Sequence, residues 1–108
     1  MNINEKCTII DVSIENEFAP LEWFDQTIDK ENNTYSITFV GPTYSECCND
    51  DGTFNNIKML ALQDGFFWKM HNIKRMLHNC GYENVKLIKT EMNKENLCSE
   101  ATIEIQLK

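Results

Sequence analysis

Between Asp64 and Gly81 the chain leaves little choice of structure. Phe66, Met70, Ile73, Leu77 and Cys80 recur at three- and four-residue spacing and form one apolar stripe. Asp64 stands where an N-cap would. Gly81 supplies the left-handed residue that ends a helix, with Tyr82 as its apolar companion. The spacing predicts a helix over 64–80, and a helix with one apolar stripe must bury it against another element.

The flanking segments supply that element. In residues 8–15, Ile10, Val12 and Ile14 alternate with Asp11, Ser13 and Glu15, which predicts a strand. Pro20 followed by Leu21, Phe24 and Ile28 reads as a short helix over 20–28, ended by Asn32-Asn33. Residues 34–40 alternate with Tyr35, Ile37 and Phe39 on one face. The pattern resumes over 43–48 after the Gly41-Pro42 break.

Asp51-Gly52 is a hairpin-turn signal, and 55–62 then read as the returning strand, because Asn55-Asn56 are poor helix formers. Strands over 84–92 and 101–107, joined through Asn93–Asn96, complete the order β-α-β-β-α-β-β. Ile103, Ile105 and Leu107 point in, and Thr102, Glu104 and Gln106 point out. The expectation is a single α+β domain over 1–108. It would be a two-layer sandwich with a mainly antiparallel sheet of four to five strands, one long helix on it and one short helix.

With 108 residues and 42% hydrophobic content, the chain can bury one core. MNINEKCTII has no apolar signal region, and the longest apolar run, Met59–Leu62, is far too short to span a bilayer. A cytoplasmic, non-membrane protein is expected. The five cysteines, an odd number, argue against a disulfide framework. The abundance of Asn, Ile and Lys, with one Arg, reflects AT-rich coding.

The net charge of −7 is unevenly spread. Residues 1–53 hold 2 Lys against 11 Asp or Glu, whereas residues 54–108 hold 8 Lys or Arg against 6 Asp or Glu. A field of this sign repels nucleic acid and anionic membranes and attracts basic partners.

Residues 44–54, YSECCNDDGTF, raise the question of a metal or redox site. With Gly52 at position 6 of an EF-hand loop, Cys47 falls at position 1 and Lys58 at position 12, so both ends fail. Adjacent Cys47 and Cys48 are not a C-x-x-C pair, and no His lies near them. The stretch reads as a polar turn, and neither a metal nor a cofactor is expected.

His71, Lys74, Arg75 and His78 share one side of the long helix. Two imidazoles flanking a cation suit acid–base cleavage of a phosphodiester, but a charged side opposite an apolar stripe is also ordinary. Trp68 falls off the stripe beside Arg75. Either another element covers it, or it is an exposed aromatic beside a cation, the composition of binding hot spots. Trp23 poses the same question on the segment 20–28.

No Ser-His-Asp arrangement, phosphate loop, dinucleotide motif or RNA-binding aromatic signature occurs. The expectation is therefore a non-enzyme: a small acidic inhibitor that neutralises a basic enzyme, in the form of an immunity protein against a nuclease toxin. The basic partner would meet Asp25, Asp29, Glu46, Asp50 and Asp51, with Trp23 as apolar anchor. A non-catalytic interaction or scaffold subunit is the alternative. A small hydrolase using the His71/His78 face is a third reading.

Overall fold

The computed structural model describes residues 2–93, 95 and 97–107. Its elements are α1 (Ile3–Phe18), β1 (Glu22–Asp29), β2 (Thr34–Thr43), a 3-10 turn (Ser45–Cys47), α2 (Asn56–Asn79), β3 (Val85–Thr90) and β4 (Cys98–Gln106). The four strands form one sheet in the order β1-β2-β4-β3. Every neighbouring pair is antiparallel. Both helices contribute to the same core, so they cover one face of the sheet and leave the other open. The expected α+β sandwich is present, with its first two elements exchanged.

Residues 8–15 are helix, not strand. Ile3, Cys7, Ile10, Ile14 and Phe18 recur at helical spacing. Cys7, Ile10 and Ile14 are buried, with Ile3 and Phe18 packed beside them. Val12, which strand alternation would bury, is 50% exposed. Asn2 caps the helix: its Oδ1 accepts from the Glu5 N–H at 2.9 Å, and its Nδ2 donates to the Glu5 carboxylate at 3.0 Å. One orphan N–H of the first turn is thereby satisfied, and the side-chain pair holds the capping amide in place.

Residues 20–28 are strand, not helix. Pro20 follows a cis peptide bond and leads into β1. Trp23 lies opposite Phe39, and the rings meet edge to face at 5.8 Å. A bulge between Trp23 and Asp25 shifts the register and leaves Phe24 in solvent. Because β1 has one neighbour strand only, little of it is buried, and the alternation that identifies a strand is lost.

The third correction concerns 55–62, which are helix. Asn55 is the N-cap of α2, its Oδ1 accepting from the Lys58 N–H at 3.0 Å. Asn is a poor interior helix residue but a strong cap. Asp64 is therefore an exposed mid-helix residue. The helix buries Gln63, Phe67, Met70, Ile73 and Leu77. It ends as the sequence implies: Gly81 has φ +102°, Tyr82 N–H reaches the Leu77 carbonyl at 3.1 Å, and Gly81 N–H reaches that of His78 at 3.0 Å. Cys80, read as the last stripe residue, is exposed at the C-cap.

Residues 43–48 do not resume β2 as a strand: β2 ends at Thr43 and the 3-10 turn follows. Asp51-Gly52 does make a tight turn, with Gly52 at φ +88°. The Asn49 N–H donates to Thr53 O at 2.8 Å, but the chain around it pairs only through the isolated bridge Cys48–Phe54. Cys47 is buried and Cys48 half-buried. Part of the expected 93–96 link, residues 94 and 96, lies outside the described residues. Among the described residues, no helix is long and apolar enough to cross a membrane.

Candidate functional site

Directly opposed residues in an antiparallel pair share a face of the sheet. Tyr35, Ile37 and Phe39 face the helices, and so do their partners Ile105, Ile103 and Ala101. The intervening residues therefore face outward. One row across the open face runs Glu22, Val40, Glu100, Thr90. The next runs Asp25, Thr38, Thr102, Ile88, then Thr27, Ser36, Glu104, Lys86, and finally Asp29, Thr34, Gln106. Five carboxylates stand on this face, with Lys86 as the cation in the same rows. Between them run hydroxyls, among which Thr38 and Thr102 are hydrogen-bonded at 2.8 Å. The remaining cation of β3, Lys89, lies opposite Ala101 and turns inward, its ammonium 5.4 Å from the centre of the Phe67 ring.

Asp25 and Asp29, expected as contacts, are both on the open face. Asp29 also builds the β1–β2 turn. Its carboxylate accepts from the N–H groups of Glu31 and Asn32 at 3.1 and 3.2 Å and from the Asn32 amide at 2.8 Å. The Asn32 bonds, above all, hold it below the usual carboxylate range. Thr34, its partner, stands nine residues from Thr43 along β2, which is roughly 30 Å of strand. Glu46 lies at that far end. It accepts from the hydroxyl and N–H of Thr43 at 3.0 and 3.3 Å. With Glu22 it lines a recess of about 360 Å³ between the sheet end and α2, floored by Gly41, Gly65 and Phe66, with Lys69 at its side.

Asp50 and Asp51 are exposed at the tip of the 44–54 loop. That loop is held by stacking of Tyr44 on Phe54 at 4.4 Å, and by the Asn55 N–H bonded to the Cys47 carbonyl at 2.9 Å. Asp51 accepts from the N–H and hydroxyl of Thr53 at 2.9 and 2.6 Å, which lowers its pKa. The expected acids thus fall into two groups: Asp25 and Asp29 on the open face, and Glu46, Asp50 and Asp51 in the loop segment beyond its Thr43 end. Trp23 faces the opposite way and packs on the core, so its indole is at most half available.

Glu100 and Glu104 belong to the acidic face but sit in the half of the chain with net positive charge. Their outward positions in the alternation of 101–107 were the available signal. Trp68 is 64% exposed on α2, so no other element of the fold covers it. His71, Arg75 and His78 are exposed and Lys74 half-buried. Among the described residues no group of three or more His, Cys, Asp or Glu is placed to hold a metal ion. Cys47 has its thiol pushed up in pKa, first by burial and then by Glu46. No family model, curated protein or solved structure is significantly similar to the chain.

Proposed function

We propose that this protein is a small acidic inhibitor that binds and neutralises a basic enzyme. A nuclease toxin is the fitting target and an immunity protein the corresponding biological form. The observation that carries this reading is the uncovered sheet face, on which Glu22, Asp25, Asp29, Glu100 and Glu104 stand with Lys86. Carboxylates fixed on a sheet accept charge-assisted hydrogen bonds from Lys and Arg with little ordering cost. A surface that grips phosphates presents those residues. The same field accelerates encounter with a basic partner.

The test is stoichiometric inhibition of a basic nuclease that copurifies with the protein, together with stopped-flow association at rising ionic strength. The expected result is loss of nuclease activity at one equivalent and an association rate that falls steeply with salt, while dissociation changes little. Absence of inhibition, or an association rate flat in salt, overturns the proposal. A non-catalytic interaction or scaffold subunit is the second reading, favoured by the exposed Trp68 on the opposite side of the sandwich.

A further inference from the structure

The outer side of α2 has its own pattern. At 3.6 residues per turn, Ile57, Ala61, Asp64, Trp68, His71 and Arg75 fall within a stripe about 80° wide. All six are exposed, Ile57 at 81% and Trp68 at 64%, and Leu60 on the border is 52% exposed. The stripe lies opposite Met70, Ile73 and Leu77, which enter the core, with Phe67 buried on its flank. A large aromatic next to Arg, left in solvent on a rigid helix, is the composition of an interface centre.

The order of side chains says what fits there. Asp64, Trp68, His71 and Arg75 are spaced four, three and four residues apart, so the series is symmetric about the point midway between Trp68 and His71. A two-fold axis through that point, with the helices antiparallel, places Asp64 of one copy beside Arg75 of the other and Trp68 beside His71, each twice. An isologous contact requires this self-complementarity.

Net charge supports the same choice. Each copy carries −7, and two copies can meet only where the acid is not concentrated. α2 carries Lys58, Lys69, Lys74 and Arg75 against Asp64, and the acidic sheet face is on the far side of the sandwich. Pairing through α2 leaves two helices, about 20 Å of protein, between the two acidic faces, more than two Debye lengths of about 8 Å. We infer that the outer stripe of α2 is the seat of a second copy of this chain, joined by reciprocal Asp64–Arg75 and Trp68–His71 contacts.

Sedimentation equilibrium of the full chain tests this. The expected result is a reversible dimer of twice the 12.6 kDa chain mass. Trp68→Glu, Asp64→Arg and Arg75→Asp should each weaken it roughly tenfold or more, and the Asp64→Arg/Arg75→Asp double variant should recover affinity. A chain that stays monomeric at about 100 μM overturns the inference. So does a dimer undiminished by Trp68→Glu, or a double variant no tighter than its singles. Far-UV circular dichroism verifies folding, and if Trp68→Glu unfolds, the exposed Asp64 and Arg75 variants decide alone.

Discussion

The phenolic hydroxyl of Tyr35 donates to the Asp11 carboxylate over 2.6 Å and ties α1 to the second strand of the sheet. Gln26 of β1 donates to the same phenolic oxygen at 3.0 Å, so three elements meet at one buried hydroxyl. Burial raises the Asp11 pKa, and the Tyr35 hydrogen bond partly opposes that rise. Burial and the neighbouring carboxylate push the Tyr35 phenol well above its ordinary range.

Tyr35→Phe should destabilise the fold by about 1–3 kcal/mol, because it takes a hydrogen-bond donor from the partly desolvated Asp11 carboxylate. The loss should depend on pH. A raised folded pKa means that the stability linked to Asp11 is complete below the unfolded value, about 3.9, and is lost as pH rises through the folded value. Without the Tyr35 hydroxyl the folded value climbs further. Urea unfolding should therefore show a larger deficit for Tyr35→Phe at neutral pH than in acid, whereas Asp11→Asn should gain on the wild type as pH rises. A deficit that shrinks toward neutral pH would contradict this assignment.

Gln63 holds a second buried junction. Its side-chain oxygen accepts from the Met92 N–H at 2.9 Å and from the Ser99 hydroxyl at 2.7 Å, which fastens the β3–β4 connection to α2. Gln63→Leu keeps the approximate volume and leaves both donors without an acceptor. It should cost about 2–4 kcal/mol, and Ser99→Ala in that background should recover part of it, since the second orphan is then gone. Equilibrium denaturation of the two variants is the measurement.

Gly41 is fixed by packing. A Cβ there would stand 2.5 Å from a ring carbon of Phe66. Gly41→Ala must displace the half-buried ring, at a cost of about 1–3 kcal/mol. Phe66→Leu should make the alanine cheaper, giving a coupling that a double-mutant cycle reads directly. Additive effects would place the strain elsewhere.

The parts of the fold legible in the sequence were those set by local geometry. Gly81 and Tyr82 close α2 through two backbone bonds that need only a left-handed residue and an apolar follower. Tyr35, Ile37 and Phe39 alternate cleanly because β2 lies in the middle of the sheet, one face packed and one wet. Failures came where the residues fit two periods. Ile10 and Ile14 suit a strand and a helix equally, and the deciding positions, Ile3, Cys7 and Phe18, lie outside the window that alternates. Leu21, Phe24 and Ile28 mimic a helix because β1 is an edge strand broken by a bulge. For the candidate site, the quantity of acid was legible and its arrangement was not. Glu100 joins Glu22 across Val40 only through the register of three strands, of which β4 is distant in sequence from the other two.

That register also decides how the acidic surface should be tested by charge reversal. Asp29→Lys and Asp51→Lys remove turn-forming carboxylates as well as charge, so weakened binding by either would be ambiguous. Asp25 and Glu100 have no hydrogen-bonding duty of that kind in the described contacts, and both face outward from the same sheet. The double variant Asp25→Lys/Glu100→Lys should keep its stability within about 1 kcal/mol of the wild type. Its association with a basic enzyme should slow by roughly tenfold or more at low salt, and the deficit should shrink as ionic strength rises. Asp50→Lys/Asp51→Lys, in the loop beyond the far end of β2, should have the smaller effect on association rate. The reverse ranking, measured by stopped-flow fluorescence on both variants, would move the partner from the open sheet face to the 44–54 loop.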